Sequence, residues 1–202
     1  MQLHAGANAA LSAQAIELLA ALAQKQRLPV GGAEQGAAAL LHRHQQPVAI
    51  IGPGDGSLQE CEAAYAIAAC LVKAGMTIVC GGRGGVMQAA SQGATQAGGI
   101  AIGLLPEEDC RGANPYLTVA IPTGMGEMRN ALIARSAVCL VAVGGGMGTV
   151  SEMAMGLKWG KSVFTLHAEV QLPGAKAADS ISELLEWVAA ELLNAYSADR
   201  DR

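Results

Sequence analysis

Arg129, the loop Gly144-Gly145-Gly146-Met147-Gly148 with Thr149 behind it, and Glu152 fall in one stretch of the chain, Arg129 to Lys161. Their types and spacing suit a phosphorylated ligand. A glycine loop that opens a helix presents backbone N–H groups, and the helix dipole adds partial positive charge, so a phosphate or other small anion is favoured there. An arginine nearby can hold the same anion bidentately. A glutamate three residues past Thr149 can orient a ribose or a water. The plain structural reading of Thr149 and Glu152 is a T-x-x-E capping box. Arg135 lies six residues after Arg129, on a different helical face, and is assigned to structure or a subunit contact.

Two more glycine loops carry side chains that could join this site: Gly52-Pro53-Gly54-Asp55-Gly56 and Gly81-Gly82-Arg83-Gly84-Gly85. Arg83 points into a crevice or to solvent. Asp55 has a turn role as its plain alternative.

The flanking segments say how these loops are held. Val138 to Val143 is a continuous apolar run, as expected of a parallel strand covered on both faces. Strands are also expected at Val48–Ile51, Thr77–Cys80, Ile100–Leu104, Leu117–Ile121 and Ser162–Leu166. Helices are expected at Leu11–Gln26, Leu58–Lys73, Val86–Gln96, across Arg129 and Arg135, from Thr149, and from Ser180 to Tyr196. Ser57 with Glu60, and Ser180 with Glu183, have capping-box spacing. Residues 106–115 and 167–179 read as loops, and Ala37–His44 as a short helix. Strand and helix alternate, which implies an α/β fold: a Rossmann-like, doubly wound parallel sheet in three α/β/α layers. Ligands of such sheets bind at the carboxyl ends of the strands, where strand order reverses, so all three glycine loops can face one crevice. Residues 1–46 are read as an N-terminal helical extension and 47–202 as the main domain.

Composition narrows the function further. Of 202 residues, 51% are hydrophobic and 15% charged, enough to build a core. The net charge of −4 and 3% aromatics argue against nucleic acid as partner. No run is long enough for a membrane span and the start lacks a signal peptide, so a cytoplasmic protein is expected. The five cysteines have no C-x-x-C spacing and read as free, mostly buried thiols. The one weak metal motif is His42-x-His44, and no metal site is assigned. The first loop has G-x-G-x-G spacing, not G-x-G-x-x-G, and the second strand ends in Cys80-Gly81-Gly82-Arg83 without the acid that holds a ribose, so NAD chemistry is disfavoured. No glycine loop is followed by Lys-Ser/Thr, which excludes a Walker A site.

The Arg129-bearing helix followed by Gly144-Gly-Gly-Met-Gly-Thr-Val-Ser-Glu152 resembles the LOG family, whose hallmark is P-G-G-x-G-T-x-x-E. Gly81 to Met87 resembles that family's second glycine loop, and the likeness runs from about residue 47 to 166. LOG enzymes are Rossmann-like phosphoribohydrolases of nucleoside 5′-monophosphates, cytokinin ribotides among them. A lysine decarboxylase label long carried by relatives is discounted, because no Schiff-base lysine constellation is visible. This chain departs from the hydrolase pattern at Gly144 (proline in the hallmark), Ser151 (glutamate) and Asn130 (lysine). The run Ile121 to Asn130 is closer to a branch that includes the molybdenum cofactor carrier proteins.

The resemblance implies Arg129 and Glu152 as catalytic residues if the chain is an enzyme. It implies Gly52, Gly54, Asp55, Gly81, Gly82, Arg83, Gly84, Gly85, Gly145, Gly146, Met147, Gly148 and Thr149 as ligand-binding positions. No cofactor is required; the bound ligand would be the molybdenum cofactor or a nucleoside monophosphate. A carrier or sensor is expected, with a phosphoribohydrolase as the alternative and a structural oligomer with a vestigial crevice as a third reading. A homodimer or homotetramer is implied. Met125, Met128, Met147, Met153 and Met155 are core filler or, with Ala154 and Gly156, a dimer seam.

Overall fold

The computed structural model describes residues 11–27 and 46–198. The short helix expected at Ala37–His44, the histidine pair within it and the last four residues lie outside that range. Seven parallel strands form one sheet: β1 (Val48–Ile51), β2 (Ile78–Cys80), β3 (Ala101–Leu105), β4 (Val119–Pro122), β5 (Leu140–Val143), β6 (Val163–Leu166) and β7 (Lys176–Ala177). Their order is β4-β3-β2-β1-β5-β6-β7. The helices are α1 (Ala13–Arg27), α2 (Leu58–Lys73), α3 (Gly85–Gln96), α4 (Asn130–Ser136), α5 (Met147–Lys158) and α6 (Ile181–Ala198), with a 3₁₀ turn at Gly126–Arg129 ahead of α4.

The central strands are apolar throughout because both faces are covered. Val48, Ile50, Val141 and Phe164 meet α2, α3 and α6 on one face. Ala49, Ile51, Leu140 and Ala142 meet Ile133 and Ala134 of α4 and Met153 of α5 on the other. This is the expected α/β/α sandwich. Outside it, α1 rests on α6: the Ser12 N–H donates to Ser182 Oγ at 2.8 Å, the Ser12 hydroxyl donates to the Glu186 carboxylate, and Leu19 and Leu22 are buried. Between α2 and α3 the backbones nearly touch, since a Cβ on Gly93 would overlap the Tyr65 carbonyl oxygen.

Some boundaries differ from expectation. β4 begins at Val119 rather than Leu117. The Leu117 side chain instead packs over Gly103 and Gly82, filling the space those glycines leave. β5 begins at Leu140 rather than Val138. α5 begins at Met147, two residues before Thr149. β7 lies where a loop was expected; its two exposed residues carry no apolar signal and are strand only because they pair with Phe164 and Thr165. Because every strand is parallel, the glycine loops after β1, β2 and β5 all lie at one edge of the sheet. α2 leaves β1 towards one face and α5 leaves β5 towards the other, so strand order reverses between these neighbours.

Candidate functional site

A cleft of about 530 Å³ opens at this reversal. One of its two buried charged groups is Arg129, at the end of the 3₁₀ turn and only 6% exposed. Nη1 donates to Asn130 Oδ1 at 3.0 Å and lies 3.6 Å from Glu152 Oε1. Nε is buried with no hydrogen-bond partner. Gly81 makes room for the guanidinium, because a Cβ there would sit 2.6 Å from both Nη atoms. Burial lowers the pKa of Arg129, and Glu152 and then Glu127 oppose the shift. The starting value is so high that the side chain stays charged.

Glu152 is equally buried. Burial pushes its carboxyl up to about 8, with Arg129 pulling the other way and Glu127 adding to the rise. The capping box expected of Thr149 and Glu152 does not form. Gly146 is the N-cap, without a side-chain cap bond, and no acid occupies the first turn of α5. Thr149 and Glu152 therefore sit inside the helix, where both line the cleft. The first N–H groups of α5 have no intrahelical acceptor, and among the described residues none takes the N–H of Met147, Gly148 or Thr149.

Gly144 explains one departure from the hallmark. Its φ is +67°, a Cβ there would overlap the Glu60 carboxylate, and its N–H donates to Leu166 O at 2.8 Å. A proline ring fixes φ near −65° and removes that donor. The other two departures answer each other. Asn130 Nδ2 donates to Ser151 Oγ at 3.0 Å, and Ser151 Oγ donates to Gly148 O at 2.6 Å. The pair ties the Arg129 turn to the first turn of α5.

The other walls come from the remaining loops. Gly52, Gly54 and Asp55 line the cleft after β1. The helix behind them is closed: the Ser57 N–H donates to Glu60 Oε2 at 2.6 Å and the Glu60 N–H to Ser57 Oγ at 3.3 Å, the expected capping box. Arg83 and Gly84 line the cleft after β2, and Arg83 pairs with Glu107 at 3.3 Å while half exposed. Asn114 holds this loop from behind, its N–H donating to Gly82 O at 2.9 Å and its Nδ2 to Arg83 O at 3.1 Å.

The structure thus gathers Gly52, Gly54, Asp55, Arg83, Gly84, Arg129, Gly146, Gly148, Thr149 and Glu152 around one cavity. Gly81, Gly82, Gly85, Gly145 and Met147 are not among its lining residues. Gly81 and Gly82 are spacers against Arg129 and Leu105, Gly85 lies against the Pro53 carbonyl, and the Met147 side chain is 81% exposed. Pro53, Met87, Glu127 and Asn130 also line the cleft and were not singled out from the sequence. For Asn130 a signal existed, in its joint departure with Ser151. Arg135 lies under Trp159, 5.1 Å from the ring centroid, as a structural residue. The dimer seam suggested for Met153 and Gly156 is corrected: both are buried, with Gly156 facing Leu140 and Val163. Cys80 and Cys139 are buried and Cys110 is exposed. Among the described residues, no helix is long and apolar enough to cross a membrane.

Known proteins agree with this architecture. An uncharacterized protein of Archaeoglobus fulgidus is 34% identical over 140 residues, 69% of this chain and 92% of that protein. The molybdenum cofactor binding protein of Rippkaea orientalis superposes with a TM-score of 0.69 at 30% identity, covering 73% of this chain and 98% of that one. The molybdenum cofactor carrier protein of Chlamydomonas reinhardtii gives 0.67 at 30% identity, covering 74% and 99%. The LOG-related SLOG cluster4 family matches residues 45–192, a span that holds all three glycine loops, Arg129 and Glu152, and the chain belongs to that family.

Proposed function

We propose that this chain binds a small phosphate-bearing ligand, a nucleotide or a pterin such as the molybdenum cofactor, and serves as a carrier or sensor. One observation carries the reading: the buried guanidinium of Arg129 keeps an unpartnered Nε beside the uncapped start of α5. A buried donor without a partner is costly, and an anion seated there would relieve both groups at once. The N–H groups of Gly146, Gly148 and Thr149 with Arg129 would hold the phosphate. Glu152 would meet the ring or sugar next to it. The similarity to molybdenum cofactor binding and carrier proteins supports a pterin as the ring.

Phosphoribohydrolysis is the second reading, favoured by the position of Glu152 in the cleft. Stabilising an oxocarbenium-like transition state asks for an ionised carboxylate, whereas burial disfavours the charged form of Glu152. That penalty on the charged form supports binding over turnover.

The test combines calorimetric titration of AMP and of isolated molybdenum cofactor with release of free adenine from AMP. Arg129→Ala should weaken binding by about 1.5–3 kcal/mol, the worth of a hydrogen bond to a charged group. Unchanged affinity in that variant would remove the site. Adenine release well above background that vanishes in Glu152→Gln would establish the hydrolase instead.

A further inference from the structure

Resting on the phosphate-binding reading above, we propose that Ser151, which does not line the cleft, aims the fork of Arg129 at the ligand through the amide of Asn130. A guanidinium can grip an oxyanion with two parallel N–H groups in two ways, end-on with both Nη atoms or side-on with Nε and Nη2. In Arg129, Nη1 is committed: it donates to Asn130 Oδ1 at 3.0 Å and stands 3.6 Å from Glu152 Oε1. Nε is buried and has no partner. The side-on fork is therefore the one left for a phosphate.

What holds Nη1 in place is the orientation of one amide. The two ends of the Asn130 side chain are an acceptor and a donor, and a half-turn would set Nδ2 against Nη1, donor on donor. Ser151 forbids that half-turn. Its hydroxyl gives its one hydrogen to Gly148 O at 2.6 Å, so it meets Asn130 only as an acceptor, taking Nδ2 at 3.0 Å. Gly148 O is a second acceptor, 3.5 Å from Nδ2. With both acceptors on one side, Oδ1 is left to Arg129. Asn130 is buried, so a flipped amide would lose these partners with no water to replace them. The amide is also neutral. It orients the guanidinium without cancelling the charge that the ligand meets. Ser151 is thus a positioning residue: it is not among the residues lining the cleft, and its hydroxyl reaches the ligand through Asn130 and Arg129. The competing route runs through Gly148, which does line the cleft.

The experiment separates the two routes by calorimetric titration of AMP into the wild type, Ser151→Ala, Ser151→Thr, Arg129→Lys and Arg129→Lys/Ser151→Ala, with thermal unfolding to show that each variant is folded. Ser151→Ala should bind AMP about five- to tenfold more weakly, the worth of one neutral hydrogen bond. Ser151→Thr keeps a hydroxyl that can bond the carbonyl one turn back and should bind like the wild type. Arg129→Lys keeps the positive charge but has no fork to aim, so in that background Ser151→Ala should change nothing further. The same loss in the Arg129→Lys background would mean that Ser151 acts through Gly148 and would overturn the proposal. So would wild-type affinity in Ser151→Ala, or a Ser151→Thr protein as weak as Ser151→Ala. If AMP does not bind the wild type, or if Arg129→Ala binds it as tightly, the phosphate reading itself fails and takes this inference with it.

Discussion

Burial, more than mutual attraction, sets the chemistry of Arg129 and Glu152. At 3.6 Å the pair attracts, yet desolvation is the larger influence on both groups. The consequence for stability has a definite sign. The carboxyl of Glu152 ordinarily titrates near 4.5 and here near 8, so the folded state holds the proton that the unfolded chain releases. Its contribution is fully present below about pH 4.5 and is lost as pH rises towards about 8, by up to about 1.4 kcal/mol per pH unit. Urea unfolding across this range should show wild-type stability falling relative to Glu152→Gln; a constant difference would mean that Glu152 is ionised throughout. Two glycines separate site from scaffold. Nothing lies within 4 Å of a Cβ placed on Gly146, whose φ of −109° suits any residue, so Gly146→Val should fold normally and block the cleft. A Cβ on Gly81 would press on the Arg129 guanidinium, so Gly81→Ala should weaken phosphate binding while thermal unfolding moves little. Full affinity in Gly146→Val would place the anion elsewhere.

At the scale of elements, what the sequence could show was the loop-to-helix junction and not the way it is capped. The glycine run after an apolar strand predicts a helix start, and T-x-x-E spacing suggests that Thr149 begins it. The chain instead enters α5 two residues earlier, because Gly144 with its positive φ turns the backbone at once after β5 and leaves Gly146 as N-cap. Such a turn has no side-chain signature beyond glycine itself. For the same reason the Asn130–Ser151 hydrogen bond was visible only as two unexplained departures; nothing in the spacing of residues 21 positions apart says that they touch. Gly144→Ala should cost about 1–3 kcal/mol for the left-handed backbone alone, and its Cβ would also displace the Glu60 carboxylate. Denaturant midpoints of this variant and of Glu60→Gln would separate the two contributions.

The whole molecule was largely legible because alternating strands and helices of this length leave few ways to cover a parallel sheet. The parallel sheet and the shared edge of the three glycine loops followed from that rule. The loop after β3 gave less: Asn114 reads as an ordinary polar residue, and only the tertiary fold brings it behind Gly82 and Arg83. α1 lies outside the residues matched by the family and packs on α6, a face that takes no part in the cleft. Leu22→Ala should therefore destabilise the protein by about 2–5 kcal/mol, as for other buried leucines, and leave ligand affinity unchanged. A matching loss of affinity would mean that α1 is coupled to the site.

The backbone contact between Gly93 and Tyr65 has a mechanical consequence. With α2 and α3 set so close that no side chain separates them, the loops at their starts, 52–56 and 81–85, form a single stiff jaw. The opposing jaw, the short turn ending at Arg129 and the first turns of α5, is joined by the Asn130–Ser151 hydrogen bond and the Arg129–Glu152 pair. The second jaw is thus held by side chains where the first is held by abutting backbones, and the Asn130–Ser151 bond is one of its ties.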